Sequence, residues 1–213
     1  MKVIDLSHII EDGMTVFPGT PAVRINQFSR VEKEGYAEKV LKLATHIGTH
    51  MDAPAHMIAG GKTLDTFKTG RFMGKALVIP FSHIDLKDID QDSYLKQFES
   101  KLHTTDYIIL NTGWSLNWGT GQYFKNYPAL DKKGAEYISA FPLKGVGIDA
   151  ISIDKEDCMT YDAHHILLEK EILIIENLCN LNTIGNNHFK LYVFPLKIKE
   201  ADGSPIRAVA EML

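Results

Sequence analysis

Cysteine is scarce: only Cys158 and Cys179 occur, at a spacing that matches no zinc or redox motif. That leaves no disulfide framework, and two reduced, packed thiols are the expected state, with a cytoplasmic location as the default. Long apolar runs are missing too. The longest purely aliphatic stretch, Ile172 to Ile175, is far too short to cross a bilayer. Asp5, Glu11 and Asp12 break up the N-terminal residues, which argues against a secretory leader. No dense basic block exists: 23 Lys and Arg stand against 27 Asp and Glu, a formal charge of -4. Nucleic acid and membrane surfaces therefore have little electrostatic hold and are not expected as partners. Internal repeats, low-complexity tracts and linkers are absent as well. What remains is a chain of 213 residues, 45% hydrophobic and 23% charged, long enough to bury a core. We read residues 1–213 as a single domain.

Two textures alternate along it. Residues 73–81, 106–112, 145–151, 171–176 and 190–196 are short apolar runs bounded by Gly, Pro or charge, and read as buried strands. Between them, residues 92–102 place Leu95, Phe98 and Leu102 at helical spacing, with Asp92 or Ser93 as the expected cap. Residues 131–141 put Ala135, Ile138 and Phe141 on one face, and residues 162–171 put Ile166 and Leu167 on another. The pattern predicts an α/β fold. The first 70 residues differ: Gly13, Pro18-Gly19, Pro21 and Gly35 punctuate them, and residues 37–45 look extended. A β-rich N-terminal arm is expected there.

Nine histidines occur in the chain, and three of them, His46, His50 and His56, fall with Asp52 inside one 11-residue window. Imidazole and carboxylate suit zinc and similar divalent metals. On a helix, His50 would lie ~40° from His46, but Asp52 ~240° and His56 ~280° away, so the four groups would not converge. An extended chain puts all even-numbered residues on one side, yet a straight strand would separate His46 from His50 by ~13 Å. The segment must bend, and Gly48 and Pro54 are where it can. A helical metalloprotease motif is ruled out by Ile47, which stands where that motif needs Glu. Farther on, Glu176 closes an apolar run, either reaching solvent from a strand end or held in a polar pocket. Of the other histidines, His8 is expected to be structural or to support the site, and His83, His103 and His188 to be surface or satisfied core residues. Asp149 and Asp154 read as turn or hydrogen-bonding residues, and the acidic run 85–92 as a solvated loop.

The segment resembles the signature of the cyclase-type metal-dependent hydrolases, a family that includes bacterial kynurenine formamidases (arylformamidases). His-x-Gly-Thr-His-x-Asp-x-Pro-x-His is met in full at His46, Gly48, Thr49, His50, Asp52, Pro54 and His56. Asp5-Leu6-Ser7-His8, Met14 to Gly19, Asn111-Thr-Gly-Trp114 and the stretch from His164 to Leu178 are similar to its weaker supporting motifs. The resemblance implies a swivelling β/β/α domain, in homodimers or homotetramers, with two Zn2+ per subunit and Mn2+ as the alternative. It implies that His46, His50 and Asp52 hold one ion and that Asp52 bridges to a second held by His164 and Glu176. His164 is preferred to His165 because its spacing to Glu176 is the family's. His56 is implied as general acid/base. Phe17 and Trp114 are candidate walls for a flat substrate, Phe17 standing where kynurenine formamidases carry Trp.

The expected activity is hydrolysis of an amide by activated water, N-formylkynurenine being the leading substrate. An isatin-hydrolase-like opening of a cyclic amide or lactone is the alternative. A catalytically silent scaffold with a structural metal is the third reading.

Overall fold

The computed structural model describes residues 2–82, 90–185 and 188–212. Its strands are β1 (Val3–Asp5), β2 (Arg24–Ser29), β3 (Glu38–Lys42), β4 (His50–Asp52) and β5 (Met73–Pro80). They continue with β6 (Tyr107–Asn111), β7 (Gly145–Ile148), β8 (Leu173–Glu176), β9 (Phe189–Pro195) and β10 (Gly203–Met212). The helices are α1 (Val31–Glu34), α2 (Gln91–Leu95), α3 (Glu99–Leu102), α4 (Lys132–Ser139) and α5 (Asp162–Glu169).

The main sheet runs β1-β10-β4-β8-β7-β6-β5-β9, and a further β9–β10 pairing closes seven of its strands into a barrel-like ring. The strands β5 to β8 pair in parallel, whereas β4, β9 and β10 pair antiparallel with their neighbours. Parallel strands covered on both faces need apolar side chains throughout, which is why these runs stood out in the sequence. Alternation divides them. Leu77, Ile79, Ile108, Leu110, Val146, Ile148 and Ile174 pack outward against Ala135, Ile138, Leu167 and Leu168 of α4 and α5. Val78, Tyr107, Ile109, Leu173 and Ile175 point inward to meet Phe189, Leu191, Val193 and Ile206. The fold is thus a mixed α/β one: a closed seven-strand sheet with helices on its outer face.

Details differ from the sequence pattern. The expected helix over 92–102 is α2 and α3 joined by a 3-10 turn, and it begins at Gln91 rather than at an Asp92 or Ser93 cap. Asp90 stands at its N-cap, and its carboxylate accepts the Ser93 hydroxyl at 2.9 Å. Helix α4 is capped by Asp131, which accepts the Gly134 N–H at 2.7 Å. On α5 the buried face is Ala163, His164, Leu167 and Leu168, with Ile166 only partly covered. The N-terminal arm is the β2–β3 hairpin with a turn-rich segment whose Met14 and Val23 pack on Ile47. His83 and most of the acidic run lie outside the described residues. Among the described residues, no helix is long and apolar enough to cross a membrane.

Candidate metal centre

The site begins with the register of β4. Its short strand lies between β8 and β10, and Glu176 is the residue directly opposite His50. His50 and Asp52, two apart, share a face. Gly48 turns the chain in just before the strand with φ of +55°, a conformation L side chains rarely adopt. After the strand, Pro54 opens a 3-10 turn, Pro54–His56, that swings His56 back. The ends of the segment consequently meet. The ring centroids of His46 and His50 are 5.2 Å apart, far from the ~13 Å of a straight strand, and those of His46 and His56 are 4.0 Å apart. From the far side, the first turn of α5 brings in His164.

Asp52 is at the centre, 1% exposed. Its Oδ1 lies 2.7 Å from His46 Nδ1 and 3.4 Å from His50 Nε2. Its Oδ2 lies 3.7 Å from His164 Nε2 and has no hydrogen-bond partner although buried. Glu176 is buried, not reaching solvent: Oε2 sits 3.5 Å from His50 Nε2, and Oε1 sits 3.5 Å from His164 Nε2 while accepting the Ile153 N–H at 2.8 Å. Ligand atoms of His46, His50 and Asp52 gather within 4.8 Å of one another, as do those of Asp52, His164 and Glu176. A third such group is His46, His56 and Asp202. His165 belongs to none of them.

The support around these groups is dense. The Gly48 carbonyl accepts from His50 Nδ1 and from the Asn177 amide, both at 2.9 Å, and the Tyr123 hydroxyl donates to Asn177 Oδ1 at 2.7 Å. Thr49 donates its hydroxyl to the Asn177 carbonyl and accepts the His8 N–H. His8 is thus a support residue, its ring stacked on Trp118 at 3.8 Å. Asp154, expected as a hydrogen-bonding residue, accepts the N–H groups of Ala163 and His164 and lies 2.6 Å from His164 Nδ1. Asp149 accepts from the N–H and hydroxyl of Thr112. His103 packs edge-on to Phe141 and His188 meets Thr105. Asp202 is the residue the sequence reading missed: an Asp-Gly pair before a strand reads only as a turn.

Burial would push these imidazoles toward neutrality, but the carboxylates outweigh it. Asp52 with Glu176 raises His50, and Asp154 with Asp52 and Glu176 raises His164 well above the usual range. Against its own burial, Asp52 is held well below the carboxylate range by His50, His164 and His46. The set collects positive charge, which a divalent ion would supply in place of protons. His46 shows this best: burial opposes, yet Asp52 and Asp202 raise its pKa to about 9. The protonated ring therefore stabilises the metal-free fold fully below pH ~6.5, and this is lost as pH climbs through about 9. The metal-free protein is expected to lose up to about 3 kcal/mol across that interval, read from thermal unfolding at stepped pH. Zinc affinity should rise over the same interval, because the nitrogen must shed its proton before it can ligate. The orphaned Asp52 oxygen and the donor set of imidazoles and carboxylates fit a divalent metal.

Above the group opens a cavity of about 310 Å3, walled by Phe17, Thr20, Tyr127, Ile151, Lys155 and Tyr161, with His56 at its edge. Phe17 is on this wall. Trp114 is not among the lining residues: its indole N–H donates to the Tyr123 carbonyl at 3.0 Å and its ring packs on the outer core.

A family model described as "Putative cyclase" matches residues 4–155, well over half of the chain. The chain belongs to the cyclase family. An uncharacterised protein of Methanocaldococcus jannaschii is similar, 32% identical over 213 residues and 99% of both chains. The kynurenine formamidase of Geobacillus thermodenitrificans is 30% identical over 206 residues, 96% of this chain and 95% of that one. Among solved structures, an isatin hydrolase bound to the product analogue thioisatinate superposes with a TM-score of 0.86 at 25% identity, covering 98% of this chain and 91% of that one. With such relatives, this cyclase-family member is a hydrolase.

Proposed function

We propose that the protein is a metal-dependent arylformamidase that hydrolyses N-formylkynurenine. The observation that carries this reading is the buried Asp52, whose Oδ1 faces His46 and His50 and whose Oδ2 faces His164, three imidazoles that line the cavity. His46, His50 and Asp52 would hold one ion; Asp52, His164 and Glu176 would hold the other. Zinc is the proposed metal, two per subunit, in a cytoplasmic homodimer or homotetramer. When bound, divalent ions supply Lewis acidity and activate water near neutral pH.

The remaining work falls to the chain. Burial lowers the pKa of His56, so at neutral pH its ring is the free base. It can accept a proton from the attacking water and return it to the amine nitrogen as the C–N bond breaks. Phe17 presents a flat apolar face to an aryl ring, and the cavity, near the small end for ligand sites, excludes bulky substrates.

A second reading, hydrolysis of a cyclic amide, is favoured by the likeness to the isatin hydrolase. Steady-state assays separate the two. N-formylkynurenine is expected to give a kcat/KM at least ~10-fold above isatin or simple lactones, about 1.4 kcal/mol of transition-state preference. The opposite order would assign the cyclic amide. Elemental analysis of protein purified without added metal should find about two ions per chain; one ion would remove the paired site.

A further inference from the structure

A neutral imidazole has one donor and one acceptor nitrogen, so a ligating histidine donates a hydrogen bond from its other ring N–H to an acceptor. For His50 that acceptor is the Gly48 carbonyl on Nδ1, and for His164 it is Asp154 on Nδ1. In both, Nε2 is left facing Asp52 and Glu176. His46 is arranged the other way round. Its Nδ1 faces Asp52, and its outer nitrogen, Nε2, lies 3.1 Å from Asp202 Oδ2. Asp202 ends the loop before β10, and its carbonyl accepts the Ala53 N–H at 2.8 Å, so the backbone carrying the carboxylate is tied to the β4 segment. The next residue, Gly203, pairs with Asp52 in the β4–β10 ladder. A Cβ on Gly203 would fall 2.4 Å from His46 Cε1 and 2.7 Å from Nε2, so its backbone lies flush on the imidazole.

We propose that the Asp202–Gly203 step is a clamp that positions His46: Asp202 accepts the hydrogen bond that Nε2–H donates, and Gly203 fixes the plane of the ring. Together they hold the Nδ1 lone pair toward Asp52 and His50. The clamp rests on the reading of His46 as a metal ligand, and it makes Asp202 a positioning residue.

Zinc titration of the whole protein against a competing chelator tests it, with the absorption spectrum of the Co2+-substituted protein as a second readout. Asp202→Ala, at a half-exposed position, is expected to weaken one of the two ions ~10–100-fold and alter the cobalt spectrum, leaving the other ion in place. Asp202→Asn retains an oxygen acceptor and should recover part of the loss. Gly203→Ala should weaken the same ion by forcing the ring to turn; if it fails to fold, Asp202→Ala carries the test alone. Wild-type zinc affinity and an unchanged spectrum in Asp202→Ala would overturn the clamp while leaving the metal centre standing. A wild-type protein that takes up no zinc would overturn both.

Discussion

Replacing His56 by alanine is expected to lower kcat ~10²–10⁴-fold, the range for losing a positioned acid/base group, while two ions stay bound. His56 sits at the end of the 3-10 turn on the edge of the cavity, its ring 5.8 Å from that of His164. Desolvation lowers its pKa, with Asp52 opposing and His46 adding to the effect. The acid limb of the pH–rate profile should therefore fall below the usual histidine pKa of ~6.5, and vanish in His56→Ala. Metal analysis of the same variant is decisive, because His56 also converges with His46 and Asp202. An inactive variant that had lost one ion would make His56 a ligand. An inactive variant that kept both makes it the proton carrier.

How much of this was legible in the sequence depended on how local the determinants are. Strands β5 to β8 announce themselves because parallel strands covered on both faces must be apolar at every position. The ten-residue β10 gives no such signal. It opens on Gly203-Ser204-Pro205, which reads as a turn, and its inward positions Ala208 and Ala210 are small. Its partners β4 and β9 are fixed by barrel closure, which no short window of sequence encodes. The site divides along the same line. The even-numbered alternation of His50 and Asp52, and the need for a bend at Gly48, follow from strand geometry alone. Asp202 reaches His46 across 156 positions of chain, and only the closed sheet brings them together. Trp114 is the converse case: the motif suggests a substrate wall, while the structure shows its half-buried indole N–H donating to the Tyr123 carbonyl.

The most severe loss is expected from Asp52→Asn. The change is nearly isosteric, so packing is preserved, but the anion at the centre of the group is gone. In the native chain Asp52 Oδ1 serves His46 and His50 while Oδ2, buried and without a hydrogen bond, faces His164. A buried carboxylate oxygen left open is costly unless a cation meets it. Asparagine removes that requirement and turns an NH2 toward one set of imidazoles, so both candidate ions lose a shared ligand at once. Zinc affinity should fall at least ~100-fold for each, no less than the cost of disturbing a residue that merely supports a ligand, and turnover should drop to background. Glu176 is grouped with Asp52 and His164, although its Oε2 also faces His50 at 3.5 Å; Glu176→Gln should cost that group its ion and leave one per chain. The metal-free proteins make the same distinction by a different route. Since Asp52 is the leading partner raising His46, the loss of stability between pH ~6.5 and 9 should shrink in Asp52→Asn and persist in Glu176→Gln. Stoichiometries of none and one, paired with those two unfolding profiles, are what a shared central carboxylate requires; both ions kept in Asp52→Asn would mean that the two sets bind metal independently of Asp52.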